Sequence, residues 1–323
     1  MDVFLYSVKN KRYGFIKYVS FLIMERDKLI RWGEDMETIG FIGTGVMGAS
    51  IVKHLLKAGC SVNVYNRTKS KTDELVKEGA IWQDTPKDVT DKSDVIFSMV
   101  GYPKDVEEIY YGENGVFSGK VDGKIVIDMT TSTPSLAKKI EETALELGAE
   151  SLDAPVSGGD LGAKNGTLTT MVGGKKEVYD KVESILNVFS SKANLQGKAG
   201  SGQHTKMANQ IMIAGTMTGM TELLVYAKAA GLDLEKVLDT VGGGSAANWS
   251  LANYAPRILK EDFTPGFFAK HFLKDLNIAL EEAEKMSIEL PATKEARNLY
   301  QALVDQGFEN DGTQALIKLW WDI

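Results

Sequence analysis

The chain of 323 residues has one cysteine, Cys60, so no intrachain disulfide is possible, and a reducing, cytoplasmic compartment fits that usage. Its three histidines, His54, His204 and His271, lie far apart in sequence. Only His271 has a carboxylate one helical turn away, Asp275, and a single such pair falls short of a zinc site, so no metal is expected. Basic residues are not in excess: the net charge is −7, with 25% of residues charged, which argues against a nucleic-acid partner or an anionic membrane surface. The apolar stretch within 200–231 is broken by Glu222, Lys228 and several threonines, well short of the roughly twenty residues of a membrane span.

What the chain does have is apolar content, 43%, ample for a sizeable core, and a length that suggests roughly two domains. Residues 1–35 differ from the rest of the chain. They are dense in aromatics (Phe4, Tyr6, Tyr13, Phe15, Tyr18, Phe21, Trp32), lack periodicity, and fail as a signal peptide because the apolar run is short and has no small-residue cleavage site after it. They are expected to be a poorly ordered extension, with Met36 opening the first true domain.

Residues 38–44 (TIGFIGT) form a short apolar run that ends in Gly43-Thr44-Gly45-Val46-Met47-Gly48, followed by helical spacing over 49–58 closed by Gly59. A strand, a glycine turn and a helix in that order predict a dinucleotide site. The G-x-G-x-x-G spacing lets backbone approach a pyrophosphate at a helix N-terminus. A second strand, 61–66 (SVNVYN), ends where an acidic residue would bind the ribose hydroxyls of NAD, yet here stand Asn66-Arg67-Thr68. Arg67 suits a 2′-phosphate and Asn66 and Thr68 supply hydrogen bonds, so NADP is expected over NAD; a solvated turn arginine is the alternative.

Strand and helix go on alternating. Residues 80–83 read as a short strand and 85–91 as a short helix with Pro86 at its first position. The runs 95–100 (VIFSMV) and 125–129 (IVIDM) read as strands of a parallel sheet buried on both faces, and their ends, Met99-Val100 and the segment after Asp128, should face the cofactor. Thr133 and Pro134 cap and open a helix that ends at Gly148, leaving Thr131, just upstream, free for another task. At 151–159 a strand ends in Ser157-Gly158-Gly159, whose unhindered N–H groups beside a hydroxyl suit a carboxylate; a plain glycine turn is equally compatible. Strands at 168–172 and 193–195 bracket a helix over 175–187.

The stretch 200–231 contains no proline and reads as one long helix stopped by Gly231. Its middle, 211–220, is apolar or small on every face, which predicts burial all round, with Gly215 and Gly219 allowing another element to approach. Lys206, Asn209 and Gln210 share a face near its start. That lysine either has a task or waves in solvent. Helices are expected over 233–240, 250–260 (kinked or split by Pro256), 270–286, 291–306 and 313–321. Phe267, Phe268, Trp320 and Trp321 are expected in the core or at subunit contacts, and Lys274 could be an ordinary surface charge. The fold expected is a Rossmann-type α/β doubly wound sheet over 36–199, followed by an all-α domain over 200–323 that begins with the long interdomain helix.

Five segments together resemble the β-hydroxyacid dehydrogenases: GFIGTGVMG at 40–48, DMTTSTP at 128–134, DAPVSGG at 153–159, GSGQHTKMANQ at 200–210 and KDL at 274–276. The resemblance implies that Lys206 is catalytic, that Ser157, Gly158 and Gly159 grip a substrate carboxylate, that Thr131 lies by the nicotinamide, and that Lys274 reaches cofactor or substrate across a cleft. Many members carry Asn at the fourth position after the lysine, where this chain has Gln210 preceded by Asn209, so either amide could meet the substrate. The activity implied is a hydride transfer between NADP(H) and a small hydroxyacid or semialdehyde, in a homodimer or homotetramer. An imine reductase or a non-catalytic dinucleotide-binding protein on the same scaffold is the alternative.

Overall fold

The computed structural model describes residues 38–323, so the expected extension over 1–35 and the domain start at Met36 lie outside the described residues. Strand and helix alternate through the first half as β1 (Ile39–Ile42), α1 (Val46–Lys57), β2 (Val62–Tyr65), α2 (Asp73–Lys77), β3 (Ile81–Trp82), α3 (Pro86–Asp91), β4 (Val95–Ser98), α4 (Pro103–Tyr111), β5 (Ile125–Asp128), α5 (Pro134–Glu146) and β6 (Glu150–Asp153). Next come β7 (Val156–Ser157), α6 (Gly159–Asn165), β8 (Leu168–Gly174), α7 (Lys176–Phe189) and β9 (Ser190–Gly197). The sheet runs in the order β3-β2-β1-β4-β5-β6-β8-β7, with β9 on β8. β1 through β6 pair in parallel, and β8 turns antiparallel to β6 and β7.

Both faces of this sheet are covered, and the strands show why. Phe41, Phe97 and Ile127 pack with α1 and α7 residues such as Ile51, Leu55 and Val182, whereas their neighbours Ile42, Ile96 and Val126 pack on the opposite face with Val106, Tyr110 and Ile140 of α4 and α5. Successive side chains of a strand point to opposite faces, so a continuous apolar run is what a doubly covered sheet requires. The parallel register also brings the C-terminal ends of β1, β4 and β5 side by side, since Met99 N–H donates to Ile42 O and Met129 N–H to Ser98 O.

After Gly197 the chain is helical: α8 (Ser201–Ala229), α9 (Leu234–Gly242), α10 (Trp249–Ile258), α11 (Ala269–Lys285) and α12 (Pro291–Asp305), then a 3-10 turn over Thr313–Leu319. The Rossmann-type sheet followed by a helical region matches the expected fold class. α8 spans about 43 Å at 1.5 Å per residue and ends as expected, with Gly231 at φ +71° and Leu232 N–H closing on Ala227 O.

Three local expectations need correction. The middle of α8 is not buried all round: Met212 is 67% exposed, and among the described residues nothing lies within 4 Å of a Cβ built on Gly215 or Gly219. Ala214, Met217 and Leu224 face the helical core, while the other side of the helix is left uncovered by the described residues. Pro256 does not split α10, because it sits in the last turn, where one lost backbone bond leaves the preceding turns intact. The final helix is a 3-10 turn rather than an α-helix, and it stops at Leu319.

Candidate active site

The glycine turn joins β1 to α1 at the C-terminal end of the sheet. A methyl group on Gly43, which has φ +100°, would collide with Met99 O, and one on Gly48 would collide with Gly43 O, so these two glycines are required by the chain's own packing. Gly45 differs. A Cβ there meets no atom of the described residues within 4 Å, although its φ of −67° is ordinary for any residue. The open space lies at the first turn of α1, where Gly45 is the N-cap and no side chain caps the free N–H groups. That is the cradle a pyrophosphate needs. Val46, 66% exposed, and half-buried Met47 continue the turn, and the buried Thr44 hydroxyl has no partner among the described residues.

At the end of β2, Asn66 accepts from Thr44 N–H at 3.1 Å and donates to Thr68 O at 2.9 Å, so it braces the glycine turn. Arg67 extends outward with its side chain 79% exposed and meets Asp105 at 3.4 Å. Asp105 also accepts from Tyr102 N–H at the start of α4. The guanidinium is thus available to an anion at this end of the turn. The residues present fit a dinucleotide.

Next along the sheet, Val100 N–H donates to the Thr130 hydroxyl at 3.0 Å, linking the end of β4 to the segment after β5. Asp128, buried at the end of β5, accepts from Ser98 Oγ at 2.9 Å and Thr130 N–H at 3.1 Å. Burial pushes its carboxyl up to about 6, against the pull of those hydrogen bonds.

α8 starts without a side-chain cap of its own, and Asp153 at the end of β6 serves instead, accepting from Gly200 N–H and Gln203 N–H at 2.8 Å each. This fixes the first turns of α8 against the sheet and turns Lys206 inward. Lys206 is 6% exposed, and its ammonium donates to Val156 O at 2.9 Å, one residue before Ser157-Gly158-Gly159. Burial lowers its pKa to about 8; Asp275 opposes that fall and Lys274 adds to it. Both glycines of the turn have positive φ, +127° at Gly158 and +62° at Gly159.

One turn further along α8, Gln210 donates to Asp275 Oδ2 at 2.6 Å and accepts from Asn209 Nδ2 at 2.8 Å. Lys274, with its side chain 12% exposed, is no ordinary surface charge: it donates to Thr131 O at 2.6 Å and lies 2.9 Å from Asp275 Oδ1 in an ion pair without hydrogen-bond alignment. His271 does not pair with Asp275. Its ring lies against Tyr102, centroids 5.4 Å apart, and Phe268, 5.7 Å.

The structure therefore gathers Lys206, the Ser157-Gly158-Gly159 turn, Thr131, Lys274, Asn209 and Gln210 where α8 and α11 meet the sheet ends, with the glycine turn and Asn66-Arg67-Thr68 further along the same edge. Sequence reasoning missed Gln203, Asp153 and the carboxylate role of Asp275. A groove of about 680 Å³ lies elsewhere, along the uncovered side of α8, lined by Met212, Gly215, Gly219, Ala246 and Asn248 among others.

Residues 38–197 match the NAD binding domain of 6-phosphogluconate dehydrogenase, and residues 200–320 match the NAD-binding domain of NADP-dependent 3-hydroxyisobutyrate dehydrogenase. The chain is 54% identical over 284 residues to the uncharacterized oxidoreductase YkwC of Bacillus subtilis (strain 168), covering 88% of this chain and 99% of the relative. It is 36% identical over 280 residues to 2-hydroxy-3-oxopropionate reductase of Escherichia coli (strain K12), covering 87% and 96%. Among solved structures, Mycobacterium tuberculosis 3-hydroxyisobutyrate dehydrogenase with L-serine superposes with a TM-score of 0.81 at 26% identity, covering 88% of this chain and 99% of that one. A glycine turn built for a dinucleotide, a buried lysine beside a glycine-rich turn and these likenesses along the described length agree: the chain belongs to the β-hydroxyacid dehydrogenase family of NAD(P)-dependent enzymes.

Proposed function

We propose that the chain is an NADP(H)-dependent reductase of small carboxylate-bearing semialdehydes or 2-oxo acids, reversible toward the hydroxyacid, with Lys206 as its general acid and base. The observation that carries the proposal is the buried Lys206 ammonium, 2.9 Å from the carbonyl that leads into Ser157-Gly158-Gly159. The names of the Escherichia coli and Mycobacterium tuberculosis relatives, both of small oxygenated acids, support the substrate class.

In this reading Gly45 and the N-terminus of α1 hold the pyrophosphate, Arg67 pairs with a 2′-phosphate, and Met99, Val100 and Thr131 flank the nicotinamide. The bound cofactor supplies the hydride. The Ser157 hydroxyl and the Gly158 and Gly159 N–H groups take the substrate carboxylate, while the Asn209-Gln210 pair, held by Asp275, lines the same region. Lys206 gives its proton to the carbonyl oxygen as that oxygen gains negative charge, and takes it back in the oxidative direction. With a pKa of about 8 it is mostly protonated at neutral pH, which favours reduction.

Homodimers or homotetramers that cover the open side of α8, in a cytoplasmic setting suited to the one buried cysteine, complete the proposal. Light scattering on the eluted protein would report the assembly, and a monomer would remove that part.

The test is the initial rate of NADPH oxidation, with NADH in parallel, against glyoxylate, succinic semialdehyde, tartronate semialdehyde and methylmalonate semialdehyde. Rapid turnover of one of them with NADPH supports the reading. No turnover of any, with NADPH still bound, would move it to imine reduction or to cofactor binding without catalysis.

A further inference from the structure

Gln203 lies one turn before Lys206 and is fully buried. Its side-chain amide is used at both ends by a single loop: Nε2 donates to Thr130 O at 2.7 Å, and Oε1 accepts from Ser132 N–H at 3.0 Å. The intervening Thr131 O is taken by Lys274 from α11. Thr130 is fixed on its other side as well, because its N–H donates to Asp128 and its hydroxyl accepts from Val100 N–H. The backbone of three successive residues is thereby tied to the helix that carries Lys206 and to α11, and the Thr130 hydroxyl ties the same loop to the end of β4.

We infer that Gln203 is a positioning residue: its amide sets the distance between the Thr131 loop and Lys206, and so the alignment of hydride and proton transfer. The inference rests on the proposed roles of Lys206 and Thr131. The arrangement is specific to a neutral amide. One end must donate to a carbonyl and the other must accept from an N–H, and neither an apolar side chain nor a carboxylate does both. Since the amide touches backbone on both sides of Thr131, its loss shifts the loop as a unit, and misplacement on the scale of an ångström is enough to cost rate.

Two substitutions separate this from a purely structural role. Gln203→Met keeps the volume and removes both bonds. It is expected to lower kcat by roughly tenfold to a hundredfold, with a smaller change in KM and with NADPH binding, followed by fluorescence, largely kept. Gln203→Glu replaces the amide by a group that can donate to Thr130 O and accept from Ser132 N–H only when protonated. Burial and the neighbouring Asp153 and Asp128 carboxylates hold an introduced carboxyl above its ordinary range, while Lys206 and Lys274 oppose them. The reductive kcat of Gln203→Glu should therefore be recovered toward acid pH and be lost as pH rises, with a break that the wild type does not show. Wild-type kcat in Gln203→Met, or a Gln203→Glu profile parallel to the wild type at every pH, would overturn the inference. Should Gln203→Met fail to fold, the Gln203→Glu profile alone decides. Lys206→Ala run alongside keeps the two readings apart: if it retains turnover, the proposed function fails, and if it is inactive while both Gln203 variants behave as wild type, only the positioning role fails.

Discussion

Gln210 donates to Asp275 Oδ2 across 2.6 Å, joining α8 to α11 one helical turn beyond Lys206. The bond holds a buried carboxylate within reach of the Lys206 charge, where it opposes the fall in pKa that burial imposes. The lysine's titration is thus a property of the junction between the sheet and the helical region.

The direction of this shift sets a pH dependence. Protonated Lys206 is required for reduction, so the reductive kcat should be flat below the pKa and fall as pH rises through about 8, while the oxidative rate rises over the same range. Asp275→Asn keeps an acceptor for Gln210 but removes the charge that holds the pKa up. Both limbs should then move to lower pH. Unshifted profiles would show that Asp275 does not govern the lysine.

The glycine turn gives a test in which folding and cofactor binding part company. Gly45→Ala places its methyl where no atom of the described residues lies within 4 Å and at an ordinary φ, so the loss of stability should stay within about 1 kcal/mol, the cost of alanine at an N-cap. NADPH affinity should nonetheless fall by about tenfold or more, because the methyl enters the pyrophosphate lane. Gly43→Ala, by contrast, collides with Met99 O at positive φ and should cost roughly 3 kcal/mol or more in denaturant unfolding. Equal effects of the two substitutions on folding would contradict this division.

Cofactor choice is tested at Arg67. Its exposed guanidinium has Asp105 at 3.4 Å as its carboxylate partner, a weak surface pair that a phosphate can displace. Arg67→Asp should weaken NADPH binding by about tenfold or more and leave NADH binding far less changed, as read by fluorescence titration. Equal losses for both cofactors would refute the 2′-phosphate assignment.

The parts of this molecule that sequence made legible are those whose causes are local. The apolar runs of β1, β4 and β5, the glycine spacing after β1, and Thr133 before Pro134 each announce themselves within a few residues. Lys206 and Ser157-Gly158-Gly159 stand out by helix spacing and by their glycines, motif resemblance supplies their roles, and the structure brings them together. What stayed hidden depends on distant partners. Asp153 caps α8 from 47 residues away, Gln203 reaches Thr130 across 73, and Gln210 meets Asp275 across 65. No spacing rule connects such positions before the chain folds. The exposed side of α8 was misread for a related reason: small and apolar residues show that a face can be covered, but not whether the same chain covers it.

The role of Lys206 is tested most directly by the turnover of Lys206→Ala with the best aldehyde substrate, measured beside its NADPH affinity. If this lysine moves the proton, kcat should fall by roughly 10²–10⁴-fold, the usual contribution of a positioned general acid, with NADPH affinity nearly unchanged and the alkaline limb of the reductive profile gone. A kcat close to wild type, still falling as pH rises through the same range, would show that the proton comes from another group.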